Sequence, residues 1–106
     1  MPKYLVKVTY SADGTRGLLR DGGRNRRQAV TSMVEGLGGE VEAFYYAMGE
    51  EDLYIILTLP STADMAAVSM AVAASGGARF NTVPLLTPEE VDEASEKAVS
   101  YRPPGT

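Results

Sequence analysis

The chain has 106 residues, is 44% hydrophobic, carries a net charge of −4 and contains neither cysteine nor histidine. That length suits a single domain with one core, since domains usually run to roughly 100–150 residues. The composition excludes disulfides, thiolate chemistry and zinc–cysteine sites, and removes the commonest metal ligand, general base and haem ligand, so neither a metal nor a cofactor is expected.

Met1-Pro2-Lys3-Tyr4 shows no apolar h-region behind a basic start, and no stretch approaches the ~20 apolar residues that span a bilayer; a soluble, cytoplasmic protein with no membrane partner is expected. Lys3 to Tyr10 alternates as a strand, with Tyr4, Val6, Val8 and Tyr10 on the core side and Leu5, Lys7 and Thr9 on the other. Ser11 to Arg20 holds a weak helical pattern around Gly14 and Gly17, which predicts a short helix carrying Leu18 and Leu19, broken by Asp21-Gly22-Gly23. From Arg24 to Leu37, Ala29, Val30, Met33, Val34 and Leu37 fall at helical spacing, and Gly38-Gly39 supplies a left-handed stop.

Two β-patterned runs follow, Val41 to Tyr46 and Leu53 to Leu57, joined through Gly49-Glu50-Glu51-Asp52. With Glu50 and Glu51 as the loop residues, the hairpin is predicted to set Met48 opposite Leu53, Tyr46 opposite Ile55 and Phe44 opposite Leu57, one wholly apolar face for the helices. The other face carries Ala43, Tyr45 and Ala47 against Tyr54, Ile56 and Thr58, too apolar to be freely solvated. Ser61 caps an alanine-rich helix over 62–75 whose buried stripe is Met65, Val68 and Val72, and Gly76-Gly77 ends it. Ala78 to Leu86 reads as the last strand, at a sheet edge because Pro84 has no amide to donate. Thr87-Pro88-Glu89-Glu90 opens a further helix with a capping box, and the Tyr101 to Thr106 tail is non-helical.

The order β-α-β-β-α-β plus a C-terminal helix predicts an α+β, ferredoxin-like domain over 1–99, followed by a proline-containing tail at 100–106. Helices cover one face of its four-stranded sheet. The half-apolar open face is most simply hidden against a second copy, so a homodimer or higher homo-oligomer is expected.

Lys3 to Tyr10, Ala43-Phe44-Tyr45-Tyr46, the Gly49-Glu50-Glu51-Asp52 turn and Pro84 to Glu90 together resemble the GYD domain family, with similarity over nearly all of residues 3–98. A glutamate stands where the tyrosine of the family name would be read. The resemblance implies a dimeric α/β barrel, two ferredoxin-like sheets packed face to face around a shared cavity. Related families include small monooxygenases, isomerases and sensory modules, so the fold selects no activity.

Lys7, Thr9, Tyr45 and Tyr54 are the candidate ligand-binding residues. On a central strand, Lys7 would point into the space enclosed by the dimer, where desolvation lowers a lysine pKa and readies it as a base or anion anchor; the plainer alternative is a stem lying on apolar surface with its amine in water. Tyr45 and Tyr54 offer hydroxyls and ring faces to an apolar ligand, or simply pack across the dimer seam. Gly22 to Arg27 sets guanidinium groups at a helix start, making Arg24 and Arg27 weak anion-binding candidates against a solvated basic surface; no Gly-Lys-Ser/Thr follows, so this is no Walker loop. Glu50, Glu51 and Asp52 read as a solvated turn with Asp52 bonded to nearby amides.

Three functions remain open on this reading. The first is binding of a small, mostly apolar molecule between paired sheets, and the second is a cofactorless monooxygenase or isomerase with Lys7 as base. The third is a structural assembly module. Nucleic acid is not an expected partner, because the chain is acidic overall and lacks an aromatic–basic stripe.

Overall fold

The computed structural model describes all 106 residues and contains β1 (Lys3–Tyr10), α1 (Ala12–Asp21), α2 (Gly23–Gly36), β2 (Glu40–Tyr46), β3 (Leu53–Thr58), α3 (Thr62–Ser75), β4 (Ala78–Leu85) and α4 (Pro88–Ser95). The strands form one antiparallel sheet in the order β2-β3-β1-β4. This is the ferredoxin-like α+β arrangement, with β4 at an edge as Pro84 requires.

Alternation along the strands builds the core. Tyr4, Val6 and Val8 of β1 and Leu53, Ile55 and Leu57 of β3 are buried with Leu59, and they meet Val34 of α2 and Met65 and Val68 of α3. Burying each such side chain contributes about 1.5–3 kcal/mol. The helix boundaries follow local chemistry: Ser11, Ser61 and Thr87 each accept an amide hydrogen bond at an N-terminus. Gly38 at φ 86° and Gly76 at φ 76° supply the left-handed stops. At α4 the expected capping box is complete, and the Thr87 amide on its carboxylate holds Glu90 below the usual glutamate pKa.

The hairpin differs from expectation. Tyr46 faces Leu53, Tyr45 faces Tyr54 and Phe44 faces Ile55, a shift of two residues that keeps the predicted faces but changes every pair. Met48 is fully exposed outside the strands. The loop is longer than two residues because Asp52 is drawn to β1: its N–H donates to Val8 O at 2.9 Å, its carboxylate accepts from Tyr10 N at 2.8 Å, and its carbonyl accepts from Ala47 N at 2.9 Å. A β-bulge between Val41 and Ala43 then flips the alternation, so that Val41 packs against the core on the same side as Phe44.

Every residue from Pro88 to Thr106 is exposed. The resulting arm lengthens the molecule to 57 × 33 × 24 Å, with a radius of gyration of 16.9 Å. A compact domain of this length would measure about 13 Å.

Candidate functional site

The open face of the sheet orders its side chains in rows across the strands. Tyr45, Tyr54, Lys7 and Asn81 form one row, each the direct cross-strand partner of the next. Ala43, Ile56, Leu5 and Val83 form the row beside it, an apolar band across all four strands. The structure therefore brings three of the four sequence-predicted ligand residues side by side. Tyr45 is 72% exposed and Tyr54 37%. Lys7 is half-buried and makes no ion pair, whereas Lys3 on the same face holds Glu42 at 2.8 Å.

Thr9, the fourth, lies one pleat further along β1, with its hydroxyl donated to Glu51 Oε2 at 2.8 Å. Glu51 and Asp52 thus bind the end of β1 in turn, their carboxylates accepting from the Thr9 hydroxyl and the Tyr10 amide. The acidic turn is fastened to the sheet, with the Glu51 and Asp52 carboxylates engaged.

A partly open cavity lies on the opposite side, between the sheet and the helices. Its volume is about 270 Å³. Val8, Tyr10, Leu53, Ile55, Ala78 and Phe80 form its floor, Ala29, Val30 and Met33 of α2 one wall and Val72 of α3 the other. Arg26 is the only charged residue lining it. A second cleft, between α1 and the turn after α3, shares Tyr10, Arg26, Val72 and Ala78 with it and extends the opening past Asp21.

Polar groups gather at this mouth. Burial raises the pKa of Tyr10 above its ordinary value of 10.0, reinforced by Tyr46 and Asp52 and opposed by Arg26. Burial raises Tyr46 in the same way, against the pull of Arg26 and Arg27, and its hydroxyl donates to Gly23 O at 3.0 Å. Both phenols are therefore protonated at neutral pH. Arg26 approaches one carboxylate, Asp21, with Nη1 3.8 Å from Oδ2.

Arg24 and Arg27, the arginines singled out from sequence, do not reach this cavity. Both are exposed, and Arg27 lines a shallow groove along the outer edge of β2 instead. The periodicity of α2 distinguishes Arg26: it stands three, four and seven residues before Ala29, Val30 and Met33, on the stripe that faces the sheet. Tyr10 carried no such signal, being the last of four alternating residues of which the first three are core.

No helix is long and apolar enough to cross a membrane. No match was found among curated proteins or among solved structures. A model of the GYD domain matches residues 4–95, from the second residue of β1 to the last residue of α4, and the chain belongs to the GYD domain family.

Proposed function

We propose that the protein is a cytoplasmic homodimer that binds a small, mostly apolar molecule. The observation that carries this reading is the cavity between the helices and the sheet, with ten hydrophobic residues among the eleven that line it. Its volume of about 270 Å³ is near the lower end of ordinary ligand pockets, which start at roughly 300 Å³. Its walls are apolar surface that an apolar ligand would remove from water, at about 25 cal/mol per Å². Pairing of open faces, with the Ala43–Ile56–Leu5–Val83 band against its copy, would leave the helix side and this cavity free.

Thermal shift with 1-octanol and indole tests the site. Both should raise the melting temperature of the wild-type protein. Val30→Phe and Val72→Phe, each growing a ring into the cavity, should fold and lose the response. A wild-type protein indifferent to both probes, or variants that respond as it does, would overturn the reading.

A second reading holds the ligand between the paired sheets, and the Tyr45–Tyr54–Lys7–Asn81 row favours it. On this reading the uptake survives Val30→Phe and fails in Tyr54→Ala. A cofactorless turnover would also belong here, with Lys7 as the base and a tyrosine as the proton donor, and Lys7→Met would abolish it while leaving the fold intact. The exposed arm formed by α4 and the tail supports a third role, joining copies into a larger assembly.

A further inference from the structure

The rim of the helix-side cavity narrows the chemistry of what it can hold. Arg26 is half-buried, and its closest carboxylate oxygen, on Asp21, is 3.8 Å away, beyond hydrogen-bond distance. The guanidinium fork is thus left with donors to give, and such a fork matches a carboxylate in two parallel bonds. Tyr10 stands beside it at the same rim. Its backbone N–H is taken by Asp52, but its phenol stays protonated and is engaged by no side chain of the cluster. Tyr46, by contrast, has its hydroxyl committed to Gly23 O. Away from this rim the lining is apolar, with Met33, Ile55 and Phe80 among it.

We propose that the cavity takes a small organic carboxylate, its anionic end held by the Arg26 guanidinium and the Tyr10 hydroxyl and its hydrocarbon body lying between α2, α3 and the sheet. The proposal rests on the helix-side cavity being the ligand site. Size sets the body: an apolar cavity of roughly 150 Å³ accepts benzene, so about 270 Å³ suits a fused bicycle or a medium-length alkyl chain. Neutral molecules of that shape would use the walls but leave the rim donors unmatched, which sites built for a polar group penalise. The ligand carboxylate would take the place that Asp21 holds loosely.

Titration calorimetry with octanoate and 1-octanol at neutral pH tests this, using the wild-type protein, Arg26→Met, Arg26→Lys and Tyr10→Phe. Arg20→Met makes the same change of charge at the end of α1, at a residue that lines neither cleft. Octanoate should bind the wild-type protein at least tenfold more tightly than octanol. Arg26→Met should erase that preference and leave octanol affinity unchanged, with Arg26→Lys and Tyr10→Phe intermediate and Arg20→Met like the wild type. If octanol binds as tightly as octanoate, or Arg20→Met weakens octanoate as much as Arg26→Met does, the carboxylate assignment is overturned while the apolar site stands. If neither compound binds, the site itself is overturned and this proposal with it.

Discussion

Asp52, the last residue of the Gly49–Asp52 turn, owes its place to structure. Its amide, carbonyl and carboxylate each make a hydrogen bond, to Val8, Ala47 and Tyr10 respectively; the first and last tie the β2–β3 loop to the end of β1, and the bond to Ala47 closes the loop itself. A carboxylate accepting a backbone N–H is a charge-assisted bond worth about 1.5–3 kcal/mol. Asp52→Ala should lose about that much in urea unfolding, and Asp52→Asn should recover part of it through its amide oxygen. An unchanged midpoint in Asp52→Ala would show that the loop is held elsewhere. The bond of Asp52 to a nearby amide was legible in the sequence; that the amide lies 42 residues away was not, because turn chemistry describes only local partners. Arg26 was legible in the spacing of α2 but hidden among three neighbouring arginines, Arg20, Arg24 and Arg27, and Tyr10 gave no signal apart from that of a core residue.

At the scale of elements, α1 meets the α3–β4 turn through a contact that only a missing side chain allows. Ser11 donates its N–H to Gly77 O at 3.0 Å and its hydroxyl to the same oxygen at 3.2 Å, and a Cβ on Gly14 would run into that carbonyl. Gly17, in the same helix, has open space, with only the flexible end of Arg20 at 3.9 Å. The two glycines should therefore respond with opposite signs. Gly17→Ala should stabilise by about 0.8–1 kcal/mol, the helix-propensity difference. Gly14→Ala gains the same propensity but must push α1 off the turn, and overpacking of this kind costs about 1–3 kcal/mol, so the net change should be destabilising. Thermal melts of both variants check this, and a stabilised Gly14→Ala would mean that α1 packs more loosely than drawn. The elements themselves were readable from periodicity and caps, β1 to the residue. The hairpin register was not, because the pull of Asp52 and the bulge after Val41 set it from outside the turn. The cavity was equally invisible, since it depends on how far apart α2 and α3 settle over the sheet, a distance that no single helix pattern encodes.

For the whole molecule, the proposed homodimer would pair through the open sheet face. Its apolar band runs across all four strands, with Ile56 and Leu5 at the centre and the Lys3–Glu42 pair near one end. An exposed pair of that kind contributes at most about 1 kcal/mol, so in the proposed dimer the apolar band would supply most of the association energy. Light scattering should therefore give twice the 11.3 kDa chain mass. Ile56→Glu would place two carboxylates in the seam, one from each copy, at a penalty of several kcal/mol per desolvated charge. Since each 1.4 kcal/mol is a factor of ten, dimer affinity should fall by about a thousandfold or more. Ile56 is only half-buried in the single chain and faces away from the helices, so the variant should keep its circular dichroism and its helix-side ligand response while sedimenting as a monomer. A wild-type monomer at high concentration, or an Ile56→Glu protein that still pairs, would show that the sheets do not meet through this band.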